Sequence, residues 1–137
     1  MKRIFVGCSY SSKVNYDTGE VFPEFKDRLE SQLETLEGMG YEVFNALRAD
    51  NYKINDPDPA EAFFLDIKEL KKADVLLALV NEQVSAGLQV EIGYALAIEK
   101  EVIIAHEEEA ELAWFNQAII KAGQAKEVIL PIAKDSF

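Results

Sequence analysis

The segment DVLLALVNEQVSAGLQVEIGYALAIEKEVIIA, residues 74–105, contains a complete strand–helix–strand unit. Residues 74–80 form a continuous apolar run, which is typical of a strand buried on both faces of a parallel sheet. Apolar residues then recur at helical spacing from residue 86 to residue 100, and a second apolar run, EVIIA, follows directly. This order predicts two parallel strands joined by a right-handed helical crossover.

One carboxylate interrupts the apolar pattern of this helix. Glu91 lies between Gly87 and Gly93, and each glycine costs roughly 1 kcal/mol relative to alanine in a helix interior. Ligands of open parallel sheets bind beyond the carboxyl ends of the strands, where this helix must begin. Gly87 precedes Glu91 by four residues and leaves space for a small molecule to contact the carboxylate. From these residues alone, a solvated glutamate in an early helical turn is an equally good interpretation.

The alternation of strands and helices continues on both sides of this unit. Apolar runs predict further strands at residues 3–7, 41–46 and 127–131 and helices at 22–38, 59–72 and 110–122. Polar residues predict loops between the first strand and the first helix and over residues 47–59. Five strands alternating with helices predict a doubly wound five-stranded parallel sheet. We therefore expect one domain over residues 1–137, a three-layer α/β sandwich of the flavodoxin or Rossmann type.

Composition narrows the classes of partner. Fourteen basic and twenty-five acidic residues give a net charge of -11, which repels the phosphate backbone of a nucleic acid polymer but admits a small nucleoside or nucleotide. No apolar run approaches the roughly 20 residues that cross a bilayer, and the initial MKRIFVGCSY enters a strand rather than a signal peptide. With a single cysteine as well, we expect a cytoplasmic protein without membrane association.

The loop after the first strand is a second candidate contact surface. Gly7, Ser9 and Tyr10 offer hydroxyl and backbone N–H groups that suit a substrate hydroxyl or phosphate. No Walker or dinucleotide fingerprint is present, so neither ATP hydrolysis nor hydride transfer is indicated. Cys8 is interpreted as a packing residue, since no triad that would make it a nucleophile is visible. His106 has no metal ligands at suitable spacing, and we expect a strand-end residue near the cleft and no bound metal.

A family resemblance joins these features. The pattern G-x-x-x-E-I-G-Y-A at residues 87–95, with Asp66 and Asp74 eight residues apart in FFLDIKELKKAD, resembles the nucleoside 2-deoxyribosyltransferase family. That family includes the 2′-deoxynucleoside 5′-monophosphate N-glycosidases. The resemblance covers most of the chain and implies cleavage of the N-glycosidic bond of a 2′-deoxynucleoside, with transfer of the deoxyribosyl group to a free nucleobase. It implies no metal and no redox cofactor.

The resemblance also implies residue roles. Glu91 matches the nucleophile, whose carboxylate stabilises an oxocarbenium-like transition state or bonds to C1′. Asp66 matches the acid that contacts the base or delivers a proton to it, and burial beside Phe63 should raise its pKa. Asp74 belongs to the matched substrate-site pattern, although its position at a strand start favours a backbone anchor.

Two positions favour different branches of the family. The transferases usually carry an acidic residue six before the nucleophile, whereas this chain has Ser85, like the monophosphate N-glycosidases that use a serine to accept the phosphate. Asn116 instead matches the asparagine with which the transferases bind the sugar in a neighbouring subunit's site. It implies a homodimer or higher homo-oligomer with shared sites, and the apolar helix at 110–122 fits such an interface. Plain helix capping is the alternative role for both residues.

The preferred interpretation is a transferase. The alternatives are a 2′-deoxynucleoside 5′-monophosphate N-glycosidase, which Ser85 favours, and a non-catalytic nucleotide-binding sensor. Ser85, Gln89 and Phe5, which stands where the transferases have a tyrosine, support the sensor.

Overall fold

The computed structural model describes residues 2–10, 12–54 and 58–137. Ser11 of the first predicted loop and residues 55–57 of the second lie outside these ranges. The strands are β1 (Arg3–Cys8), β2 (Val14–Asn15), β3 (Glu20–Val21), β4 (Glu42–Phe44), β5 (Val75–Leu79), β6 (Glu101–His106) and β7 (Lys126–Ile129). The α-helices are α1 (Pro23–Gly38), α2 (Ala46–Ala49), α3 (Pro59–Lys72), α4 (Ala86–Ala97) and α5 (Trp114–Lys121).

Five of the strands form one parallel sheet in the order β4-β1-β5-β6-β7. This is the flavodoxin-like order 2-1-3-4-5, and the predicted fold class is confirmed. The chain leaves β1 in one direction to form β4 and then crosses back to form β5. Because the winding reverses there, a crevice opens beyond the carboxyl ends of β1 and β5, where ligands of such sheets bind.

The helices divide unequally between the two faces of the sheet. Leucines of α1 pack on one face, together with Ile4, Val6 and Cys8 of β1. Apolar residues of α3, α4 and α5 pack on the other face, against Phe5. Successive strand residues point to opposite faces, so Gly7 belongs to the α3–α5 face and Cys8 to the α1 face. This alternation decides what each residue at the end of β1 can contact.

Strand β1, the neighbour of the central strand β5, is fastened at each end by a polar side chain. At its amino end, the backbone N–H of Arg3 donates to Oδ2 of Asp74 (2.9 Å), and the N–H of Asp74 donates to the Arg3 carbonyl (2.8 Å). At its carboxyl end, Nδ2 of Asn45 donates to the carbonyl of Val6 (2.9 Å). Such bonds satisfy backbone groups that the sheet leaves unpaired.

Several predicted boundaries differ from the structure. Helix α4 ends at Ala97 rather than at residue 100, because Glu99 adopts a positive φ of 61° and stops the helix. Helix α5 begins at Trp114 rather than at residue 110, after a turn of acidic residues. Two predicted loops contain short elements, the β2–β3 hairpin and α2. Elements of two to four residues are too short to produce a recognisable period.

None of the helices in the described ranges has the length and apolar character that crossing a membrane requires. The cytoplasmic location stays a prediction.

Candidate active site

Helices α3 and α4 bring two carboxyl groups together beside β1. The two helices contact each other and both contact β1. Asp66 comes from α3 and Glu91 from α4, and their side chains are hydrogen-bonded to each other. The structure thus joins the two residues that the family resemblance matched to catalytic roles.

Gly7 provides the space in which Glu91 lies. A Cβ atom added at Gly7 would stand 2.8 Å from Oε1 of Glu91 and 2.8 Å from Cδ1 of Leu88, well inside van der Waals contact. Only glycine at this position lets the carboxyl group pack against the end of β1. Gly7 was predicted as a substrate contact, and the contact that the structure gives it is with Glu91.

The carboxyl pair retains a proton because both groups are buried and lie close together. Burial raises the pKa of Glu91 to about 8, with further increases from the charge of Asp66 and from their hydrogen bond. Burial also raises the pKa of Asp66, as expected, although the hydrogen bond from Glu91 opposes that rise. Two adjacent half-buried carboxylates cannot both ionise near neutral pH, so the pair retains one proton. In the free protein Glu91 and Asp66 share that proton, whereas the sequence predicted Asp66 alone as the acid.

Tyr10 extends the site on the loop after β1. It is half-buried, and burial raises its pKa, with additional increases from the charges of Cys8, Asp66 and Glu91. Its hydroxyl therefore stays protonated and can donate to an oxygen of a bound molecule. Ser9, also predicted to contact substrate, is buried, and its backbone N–H donates to the Leu79 carbonyl (3.3 Å).

Cys8 points away from the pair into the α1 face. Burial raises the pKa of its thiol to about 12, so it stays neutral at physiological pH and cannot act as a thiolate nucleophile. This agrees with its interpretation as a packing residue.

Ser85 and Gly87 lie at the start of the helix that carries Glu91. Ser85 is the N-cap of α4, and its Oγ accepts a hydrogen bond from the N–H of Leu88 (3.3 Å). A Cβ atom added at Gly87 would meet nothing nearer than Oγ of Ser85, at 4.0 Å. The helix surface before Glu91 is therefore open. Ser85 caps the helix, as the alternative interpretation expected, and its hydroxyl hydrogen remains available as a donor.

Two predicted site residues lie elsewhere. Asp74 is at the amino end of β5, at the edge of the sheet opposite to Glu91, where it anchors Arg3. This contact matches the interpretation of Asp74 as a backbone anchor. A strand's amino end faces away from the ligand edge, so the geometry gives no support to a substrate contact, which stays a prediction. Asn116 is only 3% exposed, and its Oδ1 accepts a hydrogen bond from Nε2 of Gln89 in its own chain (3.0 Å). This geometry gives no support to a role for Asn116 in a neighbouring subunit's site.

His106 lies at the end of β6, as predicted. Its buried ring is within 2.6 Å of both the Glu107 carbonyl and a carboxylate oxygen of Glu127. Within residues 2–10, 12–54 and 58–137, no three His, Cys, Asp or Glu side chains form a cluster able to hold a metal ion.

A cavity of about 310 Å³ occupies the crevice beyond β1 and β5, on the α1 side. The ends of the two strands and the first turns of α1 line it, including Cys8, Ser9, Asn81, Phe25 and Leu29. Glu91 and Asp66 flank the end of β1 from the other face. The end of β1 is therefore the point around which the candidate site is built.

Asn45 is a site-building residue that the sequence did not reveal. An asparagine after a short apolar run has the ordinary signature of a turn or helix cap, and Asn45 does cap α2. Its burial, at 3% exposed, and its bond to Val6 depend on the packing of β1 beside β4.

Comparison with known proteins identifies the family. The sequence model described as nucleoside 2-deoxyribosyltransferase matches residues 18–128, well over half of the chain, and the protein belongs to this family. No curated protein sequence matches the chain.

Solved structures agree with this assignment. The CMP N-glycosidase BcmB of Clostridium botulinum is 25% identical, with a TM-score of 0.68 over 96% of this chain and 91% of that one. BlsM is 26% identical, with a TM-score of 0.76 over 96% of this chain and 82% of that one. A 2-deoxyribosyltransferase from Bacillus psychrosaccharolyticus shares the fold at 14% identity, with a TM-score of 0.64 over 95% and 86% of the chains. Family and neighbours together support an activity on N-glycosidic bonds.

We predict that Gly7→Ala lowers the free energy of unfolding by about 1–3 kcal/mol, because the added methyl group overlaps Glu91 and Leu88. Gly38→Ala is the matched control, since an added Cβ there meets no atom within 4 Å. Urea denaturation measures both. A Gly7→Ala variant as stable as the wild type would contradict the close packing of Glu91.

We also predict that Glu91→Gln stabilises the protein at pH 8 by roughly 1–3 kcal/mol. A carboxyl group whose folded pKa is raised binds more protons in the folded state, so stability falls as pH rises from about 4.5 to about 8. Glutamine removes that penalty and can still donate to Asp66. Thermal unfolding at pH 4.5 and pH 8 should show the gain only at the higher pH. An equal difference at both values would mean that Glu91 titrates normally.

Proposed function

We propose that this protein hydrolyses the N-glycosidic bond of a nucleoside 5′-monophosphate, with Glu91 as the nucleophile. The observation that carries the proposal is the carboxyl pair beside the end of β1, which holds one proton between Glu91 and Asp66. A pair with one acid and one base is what cleavage of a glycosidic bond requires.

The first step uses the proton already bound by the pair. On substrate binding the proton moves to Asp66, and the ionised Glu91 attacks C1′ of the sugar. The bond between C1′ and the base nitrogen breaks, its electron pair leaves with the base, and Asp66 transfers its proton to that base. An ester then joins Glu91 to C1′.

The second step restores the pair. Asp66, now ionised, takes a proton from a water molecule whose oxygen attacks C1′. Glu91 leaves as a carboxylate, and the sugar phosphate carries the new hydroxyl group. The pair again holds one proton, and the two steps together consume only water and the substrate.

Ser85 supports a phosphorylated substrate. Its hydroxyl lies at the amino end of α4, where the helix dipole and free N–H groups favour an anion. Its Oγ accepts from Leu88 and keeps its own hydrogen for a phosphate oxygen. The resemblance to the CMP N-glycosidase at 25% identity points in the same direction.

Transfer of a deoxyribosyl group to a second base is the other candidate. The name of the matching family favours it. In the sequence, the strongest support for transferase activity was Asn116, but in the structure Asn116 accepts a hydrogen bond from Gln89. We therefore rank hydrolysis above transfer, the reverse of the order favoured by sequence.

Association of the chain with further copies is also part of the proposal. Trp114 and Phe115 at the start of α5 are 75% and 66% exposed, and Phe64 of α3 and Val90 of α4 are exposed on the same helical layer. Apolar patches of this kind mark protein interfaces. We predict a homodimer or larger homo-oligomer by light scattering at micromolar concentration, and Trp114→Glu with Phe115→Glu should yield monomers. A monomeric wild type would contradict the interface.

We predict that CMP, dCMP or dGMP alone releases free base, measured by chromatography. Glu91→Gln should lower the rate by about a thousandfold or more, because no nucleophile remains. Glu99→Gln, an exposed glutamate just beyond the same helix, is the matched control and should keep the wild-type rate. The rate should also decrease above about pH 8, where the pair loses the proton that the departing base needs.

The same assay separates the alternatives. Base exchange between deoxyinosine and adenine, without release of free base from the monophosphates, would show that the protein is a transferase and would overturn the proposed hydrolysis. Failure of both reactions would favour a nucleotide-binding sensor. Full activity in Glu91→Gln would overturn the mechanism for any substrate.

A further inference from the structure

Asn45 joins β1 to the start of α2 through one buried side chain. Its Nδ2 donates to the carbonyl of Val6 (2.9 Å), and its Oδ1 accepts from the N–H of Arg48 at the start of α2 (3.0 Å). Burial raises the pKa of the nearby Cys8 thiol, and the Asn45 side chain partly opposes that rise. Each polar atom of the buried carboxamide is therefore satisfied, as a stable buried amide requires.

The two β1 residues that the Asn45 side chain approaches, Val6 and Cys8, stand on either side of Gly7. Val6 and Cys8 point to the α1 face, while Gly7 faces α4 and lies against Glu91 and Leu88. Since the backbone of consecutive strand residues moves together, fixing the Val6 carbonyl restrains Gly7. A shift of Gly7 of a few tenths of an ångström would change the space around the Glu91 carboxyl group.

We propose that Asn45 is a positioning residue for the carboxyl pair: by holding the backbone of Val6, it keeps Gly7 packed against Glu91 and excludes water from that carboxyl group. Asn45 acts from the opposite side of β1 and does not touch the pair. The catalytic consequence rests on the proposed function, whereas the effect on Glu91 itself does not.

Two substitutions separate the roles of Asn45. Asn45→Ser retains an oxygen that can cap α2, since serine is about as good an N-cap as asparagine, but its side chain is shorter and lacks the amide donor to Val6. Asn45→Ala removes both functions. If Asn45→Ala does not fold, Asn45→Ser carries the test.

Asp74→Ala is the matched control. Asp74 fastens the amino end of β1 to β5 through the N–H of Arg3, as Asn45 fastens the carboxyl end. Loss of either anchor should lower stability. Only loss of Asn45 should alter the environment of Glu91.

The primary measurement is the titration of the Glu91 carboxyl group by carbon-detected NMR of the free protein. Burial is the main cause of the raised pKa of Glu91, so admission of water should lower it. We expect a decrease of about one pKa unit in Asn45→Ser and Asn45→Ala and no change in Asp74→Ala. The other titratable groups near Glu91 and its partner Asp66 are Asp50, Cys8 and Tyr10, and all of them remain present in every variant.

Activity provides the second measurement. The pH at which kcat/KM begins to fall on the alkaline side should decrease together with the pKa of Glu91. In Asn45→Ser, kcat should decrease about tenfold while KM changes little, because a displaced nucleophile affects the chemical step more than binding. If the wild type shows no glycosidase or transferase activity, the proposed function fails and the NMR titration still tests Asn45. Unchanged titration of Glu91 in both Asn45 variants would overturn the positioning role.

Discussion

Two carboxyl groups that repel each other when ionised are held side by side at the end of β1. Burial disfavours the charge of each, and their proximity disfavours the second charge further. The rest of the fold must therefore supply enough stability to keep Asp66 and Glu91 together. The apolar packing of α3 and α4 on the sheet supplies this stability, because it fixes the backbone of both helices independently of the carboxyl groups.

The end of β1 is where these requirements meet. On one face Gly7 leaves room for Glu91, and on the other Asn45 holds the backbone of the neighbouring Val6 in place. Strand alternation makes this division possible, since adjacent residues serve opposite faces of the sheet. A site that needs close packing and a buried proton is thus assembled on a buried strand that is paired on both sides, where the backbone has little freedom to relax.

The architecture could be predicted because its signals are local and strong. Apolar runs such as residues 75–79 and 102–105 have the length and the β-branched and leucine content of buried strands, and the helical spacing between them predicts parallel crossovers. The failures had local causes as well. The end of α4 was extended too far because Ile98 continues the apolar spacing, although the positive φ of Glu99 has already ended the helix. The β2–β3 hairpin and α2 were missed because elements of so few residues have no detectable period.

The sequence by itself determined the order of strands and helices, the parallel sheet and the anomaly of Glu91, since each depends on residues close together in the chain. Only the tertiary structure decided that Glu91 shares a proton with Asp66, that Asn116 bonds to Gln89, that Asp74 anchors the amino end of β1, and that Asn45 fastens its carboxyl end. These facts depend on distances between residues far apart in the chain. Local periodicity carries no information on such distances, because they arise when separate elements pack against one another.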